Sequence, residues 1–208
     1  NTIKISKLLL NTNDHACQIK NYWTQRLHVS GLQSLKFLND QYLISSAARE
    51  EFFIWKINDG TLGDDSKLYV HCYDTLVPSV AGNPDLRIMD FDYLPIYDNN
   101  NNNNTVERSL QGFFLCLVYS NSFIKVFYYD LVNKKFHLMV DDYYKDICIL
   151  TIKFVVHSQK IHMVIGATDG FLTVYDVPVP AGLQMQNGND GAALVGEYHH
   201  SDGAAAAK

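Results

Sequence analysis

Apolar residues in this chain fall in short runs of strand length separated by polar, turn-forming residues, and the clearest instance is Ile161 to Val177. There, Ile161 to Ile165 and Phe171 to Val177 flank Ala167-Thr168-Asp169-Gly170. An Asp-Gly pair between two such runs predicts a hairpin in which both turn residues take φ > 0. The second run ends in Tyr175-Asp176, an aromatic and an acid that follow the turn Asp by six and seven residues. Aligned on that aromatic, two upstream stretches repeat the pattern: Ile44 to Lys56 around Trp55, and Leu115 to Tyr128 around Phe127. Their turn pairs are Arg49-Glu50 and Asn121-Ser122. The three aromatics stand 72 and 48 residues apart, against roughly 40 to 45 for a repeat built from four strands.

Around these hairpins the same pattern predicts further strands. Ile3 to Leu10 and Cys17 to Trp23 are separated by a polar turn at Asn11 to Asp14. The first full unit runs Leu32 to Leu38, Tyr42 to Ala47, Phe52 to Ile57 and Leu68 to Tyr73, with an Asp- and Gly-rich turn at Asn58 to Ser66. The second begins at Leu86 to Leu94 and continues with Phe113 to Tyr119, Phe123 to Leu131 and Lys135 to Val140. Its extra length is explained by an insertion, Asp98 followed by the asparagine run Asn99 to Asn104, which has too little apolar surface to order itself and is expected to be a disordered loop. The third opens at Cys148 to Val156 and contains the Asp169-Gly170 hairpin, stopped by Pro178 and Pro180. A Gly- and Asn-rich segment, Ala181 to Gly191, leads to an outer strand at Ala192 to Tyr198.

Composition sharpens this all-β reading. The 208 residues are 47% hydrophobic and include thirteen Tyr and eleven Phe, which suits a packed β core. A net charge of -5 gives no footprint for phosphate, so direct RNA binding by this segment alone is disfavoured. No apolar run reaches membrane-spanning length. Cys17, Cys72, Cys116 and Cys148 lack C-x-x-C spacing and sit in or beside apolar runs; buried free thiols in a reducing compartment are expected. Asn1-Thr2-Ile3 shows neither a starting methionine nor a signal sequence, and the chain is expected to come from inside a longer polypeptide.

No reactive constellation emerges, and no catalytic, cofactor-binding or metal-binding residue is predicted. His157 and His162 lack a third ligand at fixed spacing. His199-His200 reads as a loop pair, and Asp64-Asp65 and Asp141-Asp142 as solvated turns. Gly188, Gly191 and Gly196 do not fit a dinucleotide fingerprint.

The order small-residue run, Asp-Gly, four residues, aromatic-Asp resembles the second and third strands of a WD-repeat blade. The resemblance implies a β-propeller, with residues 1–27 the end of a preceding blade, 28–85 the blade of Trp55 and 86–145 a blade with the Asn-rich insertion near 97–108. Residues 146–198 would be the blade of Tyr175, and 199–208 the start of a further repeat or a tail, because His199-His200-Ser201-Asp202-Gly203 echoes His28-Val29-Ser30-Gly31. Propellers close with about four to eight blades, so only part of a ring is expected here. WD-repeat blades use His, Ser or Thr, Asp and Trp as an internal hydrogen-bond set. Here Arg49 replaces the hairpin Asp, Lys56 replaces the acid after the aromatic, and Asp146 lies near the third histidine position, so the set is expected to be incomplete in every blade.

The succession Phe-Ile-Trp, Tyr-Ser-Asn-Ser-Phe-Ile-Lys-Val-Phe and Gly-Ala-Thr-Asp-Gly-Phe-Leu-Thr-Val-Tyr-Asp is similar to the multi-propeller WD-repeat subunits that partner an FtsJ-type transfer-RNA ribose methyltransferase. That resemblance implies a non-catalytic cytoplasmic scaffold with no cofactor of its own. The partner enzyme would use S-adenosylmethionine to methylate the 2'-hydroxyl of the wobble nucleotide, position thirty-four of the tRNA, which is reached through the complex. The rival readings are a WD-repeat scaffold of a vesicle coat, ubiquitin ligase or chromatin complex, and a propeller enzyme with residues in its central channel. Fold alone does not choose among them.

Overall fold

The structure, a computed structural model, describes residues 2–10, 17–58, 69–76, 86–97, 109–158, 160–179, 183–188 and 191–196. These contain only strands and turns, arranged as several mostly antiparallel sheets. Asn11 to Asp14, residues 59–68, the asparagine insertion at 98–108 and the tail at 199–208 lie outside the described residues. The expectations for a polar turn, a disordered loop, the Asp64-Asp65 pair and a further repeat fall there. The chain divides into two compact units, Asn1–Asp90 with Tyr119–Asn121, and Phe91–Val118 with Ser122–Lys208.

In the first compact unit, β1 (Ile3–Leu10) pairs antiparallel with β2 (Cys17–Gln25). A four-stranded antiparallel sheet follows: β3 (Leu32–Phe37), β4 (Tyr42–Ala47), β5 (Glu51–Asn58) and β6 (Tyr69–Thr75), in that order across the sheet. Central β4 is buried along its whole length, which is why it carries no charge and ends in Ser45-Ser46-Ala47. Leu43 stands opposite Trp55, and both are fully buried with Ile3 and Val70. Ile5 and Trp23 pack against this cluster, and the Trp23 and Trp55 rings meet edge to face at 5.8 Å. One face of the sheet is therefore covered by another sheet, with an aromatic pair at their contact.

The second compact unit holds most of a six-stranded sheet. Its strands are β7 (Ile88–Tyr97), β8 (Leu110–Tyr119), β9 (Phe123–Asp130), β10 (Lys135–Tyr143), β14 (Leu183–Gly188) and β15 (Gly191–Gly196). The order across it is β10-β9-β8-β7-β15-β14. Between β10 and β14 in sequence, β11 (Ile149–His157), β12 (Lys160–Ala167) and β13 (Leu172–Val177) form a separate three-stranded antiparallel sheet. Gly112 on β8 runs so close to β9 that an added Cβ would lie 2.3 Å from the Tyr129 carbonyl oxygen. Contacts between the three-stranded sheet and its neighbour include Cys116 Sγ, 3.3 Å from Met163 Sδ, and Asp92 Oδ2, which accepts the Phe154 amide at 2.9 Å. Lys153 Nζ stands 3.3 Å from the other Asp92 oxygen. The carboxylate thus takes up a backbone donor on β11, an edge strand of its sheet.

Four sequence expectations change. The outer strand expected at Ala192 to Tyr198 does not join β13; as β15 it runs parallel to β7, Leu194 opposite Ile96. Within the segment expected only to lead into it, Leu183–Gly188 is a strand paired with β15. Local sequence cannot specify such a long-range partner, because strand pairing is chosen by what lies beside it. In the third hairpin only Gly170 has positive φ, 80°; Asp169 instead caps the turn, its carboxylate accepting the Phe171 amide at 3.1 Å. All four cysteines are free, but Cys116 alone is buried and Cys17 is exposed.

Candidate functional site

One backbone bond recurs in the three sheets that carry the aligned hairpins. The amide seven residues before the aligned aromatic donates to the carbonyl of the residue just before the sheet's first strand. The pairs are Ala48 to Gly31 (3.2 Å), Ser120 to Arg87 (2.9 Å) and Thr168 to Cys148 (3.0 Å). The aromatics also keep one register: Trp55 faces Leu43, Phe127 faces Leu115 and Tyr175 faces Met163 across the preceding strand. Each hairpin therefore clamps the entry to its own sheet in the same way.

The most developed polar arrangement lies in the first of these sheets. Trp55 Nε1 donates to Ser45 Oγ at 2.7 Å, and Ser45 Oγ is 2.7 Å from His28 Nε2. An ionised carboxylate only accepts, so the proton of the neutral imidazole is assigned to Nδ1, which faces Glu51 Oε2 at 3.1 Å, and Nε2 accepts the Ser45 hydrogen. The same carboxylate accepts the amides of Val29 at 3.1 Å and Ser30 at 3.2 Å, and Ser30 Oγ donates to the Ala48 carbonyl. The His28 pKa is lowered, first by burial, with the Glu51 hydrogen bond and charge opposing the shift. Every donor in the chain Trp55, Ser45, His28, Glu51 thus has an acceptor only while the imidazole is neutral.

This overturns the expectation that the internal set is incomplete everywhere. Glu51 supplies the acid missing at Arg49, because its longer side chain reaches from the start of β5 to His28. The signal was present in the sequence as an acid two residues past the expected place. In the second and third sheets the expectation stands on different grounds: the residue ten before the aromatic, Ser45 in the first, is Leu117 and Ile165, both fully buried. An apolar residue there needs no partner. Asp146 accepts from the Tyr143 hydroxyl, while Tyr144 Oη lies 2.7 Å from Thr173 Oγ1. Lys56 lies 5.8 Å and 5.9 Å from the Tyr42 and Tyr73 rings, a cation held by aromatic faces.

Serine, histidine and carboxylate in sequence look like a nucleophile, base and orienting acid. The chemistry does not follow, because Ser45 and His28 are 0% and 2% exposed and the serine oxygen is already occupied by the indole donor. His157 and His162 lie on adjacent strands, but His162 Nδ1 is spent on Asp176 at 2.8 Å. Among the described residues no group of three or more His, Cys, Asp or Glu side chains is arranged to hold a metal. Gly188, Gly191 and Gly196 fall at the ends of β14 and β15, and Asp141-Asp142 lies within β10 rather than in a turn.

Among the described residues, large apolar side chains stand exposed on β13 and the turn before it, where Phe171, Leu172 and Val174 are 69%, 75% and 59% exposed. No family model matches this chain, and no curated protein matches it.

Proposed function

We propose that this chain is a stretch of a WD-repeat β-propeller that acts as a non-catalytic scaffold in a tRNA 2'-O-ribose methyltransferase complex. The partner is an FtsJ-type enzyme; it brings S-adenosylmethionine and carries out methylation at the wobble nucleotide. This chain holds the enzyme and helps to place the tRNA in the cytoplasm. The observation that carries the repeat half of the reading is the entry bond made by Ala48, Ser120 and Thr168, one device used at three places with otherwise different side chains. The non-catalytic half is supported by the burial of the Ser45 and His28 pair. The enzyme and the RNA rest on the resemblance of the Phe113 to Val177 stretch.

Affinity purification of the protein from the cells that make it tests the reading. A ribose methyltransferase should co-purify, and depletion of the protein should remove 2'-O-methylation at the wobble nucleotide. Recovery of coat, ubiquitin-ligase or chromatin subunits with methylation intact would replace it by another scaffold role. Turnover by the isolated protein would make it an enzyme.

A further inference from the structure

Tyr143 and Tyr144 are neighbours in one acidic stretch, Asp141-Asp142-Tyr143-Tyr144-Lys145-Asp146, and the fold gives them opposite surroundings. Tyr144 is 8% exposed. Its hydroxyl lies 2.7 Å from Thr173 Oγ1 on β13, its ring meets Tyr175 edge to face, and its amide donates to the Ser122 carbonyl. Tyr143 is 43% exposed. It ends β10, an edge strand of the six-stranded sheet, and its hydroxyl donates to Asp146, which is itself exposed. Asp141 and Asp142 are exposed as well. Among the described side chains Tyr69 is also open, but it has no acid within three residues on either side and its ring stacks on His71. Of the described tyrosines, Tyr143 alone joins exposure to flanking acids at the end of an edge strand.

We infer that Tyr143 is a phosphorylation site for a tyrosine kinase directed to acidic sequence. The end of an edge strand offers such an enzyme an extended segment, and Asp141, Asp142 and Asp146 supply the charge pattern by which a kinase with a basic substrate groove selects its target. The γ-phosphoryl group of ATP passes to Tyr143 Oη. The Oη–P bond forms as the bond from phosphorus to the ADP oxygen breaks, and the phenol proton goes to the kinase's catalytic carboxylate. The product carries about 1.5 to 2 negative charges, cannot donate to Asp146, and is flanked by Asp142 and Asp146, so like-charge repulsion replaces a hydrogen bond. That repulsion acts on the short link from β10 to β11, which is fastened by Tyr144 N–H on the Ser122 carbonyl and by Ser122 Oγ on the Ile147 carbonyl. Phosphorylation therefore loosens the connection into the three-stranded sheet. The inference requires neither the repeat reading nor the methyltransferase.

Site-resolved mass spectrometry of the polypeptide as its cells make it, purified with orthovanadate to block phosphatases, tests this. Phosphate is expected on Tyr143, with Tyr144 and Tyr69 unmodified. After phosphatase treatment, the same polypeptide incubated with ATP and an acid-directed tyrosine kinase should gain phosphate at Tyr143 about tenfold faster than at Tyr144 or Tyr69, and replacing Asp141 and Asp142 together by Asn should remove most of that preference. In the phosphorylated form the Tyr144 amide should exchange hydrogen about tenfold faster than in the unmodified one. Tyr143→Phe, which loses the Asp146 bond without gaining charge, should take no phosphate there and should quicken that exchange less. Absence of phosphate at Tyr143 in the cellular polypeptide overturns the inference, as does a preference for Tyr144 or Tyr69. Unchanged exchange at the Tyr144 amide on phosphorylation overturns the loosening of the link.

Discussion

His28 Nε2 and Ser45 Oγ lie 2.7 Å apart, with the Trp55 indole donating to the same oxygen, and the proton order between them follows from the Glu51 carboxylate, which only accepts, at His28 Nδ1. Ser46, the next residue, is equally buried on the other side of β4, yet its hydroxyl finds no partner. Adjacent serines thus occupy opposite situations. Ser45→Ala strands two buried groups and is expected to cost about 1 to 3 kcal/mol, whereas Ser46→Ala is expected to be neutral or stabilising. Urea unfolding of the two variants checks the contrast, and equal effects would refute the network.

The same network sets a pH dependence. Burial lowers the His28 pKa in the folded state, below about 6.5 in the unfolded chain. The unfolded state therefore binds the proton first as pH falls. The stabilisation is fully present above pH 6.5 or so and is lost as pH drops from there toward the folded pKa. The stability gap between the parent and His28→Asn should shrink between pH 7.5 and pH 5, measured by denaturant midpoints. A gap independent of pH would show that the imidazole does not titrate in this way.

Arg49 and Glu50 sit at φ 67° and 58°, a turn geometry that favours Asn-Gly. Neither side chain is suited to it. Replacing the pair by Asn-Gly should raise stability by about 1 to 2 kcal/mol, read from thermal unfolding. Gly170→Ala, at φ 80°, should do the reverse by about 1 kcal/mol.

Truncating the aligned aromatics separates the sheets. Trp55 is fully buried, and Trp55→Ala should cost about 3 to 5 kcal/mol. Tyr175 is half-buried, so Tyr175→Ala in the isolated chain should cost clearly less, about 1 to 2 kcal/mol. A larger loss at Tyr175 than at Trp55 would contradict the difference in their burial.

Much of the strand layout was legible because it is written locally. Tyr42–Ala47 and Lys135 as the start of β10 coincide with their predicted places, and the hairpins of Trp55, Phe127 and Tyr175 share one alternation. What was not legible depends on distance. The parallel seating of Leu194 beside Ile96 leaves no periodic trace in either segment. Glu51 escaped notice because a carboxylate was sought at position 49, and a longer side chain from another backbone position performs the same pairing. Lys56 could be seen to break the acid pattern, but only Tyr42 and Tyr73 arriving from β4 and β6 explain how the charge is accommodated.

Hydrogen exchange at three amides tests the repeat most directly. If Ala48, Ser120 and Thr168 each close the entry to a sheet of common design, all three should exchange slowly, with protection close to that of the neighbouring strand amides. Exchange of any one of them at the rate of an exposed loop amide would contradict a shared construction.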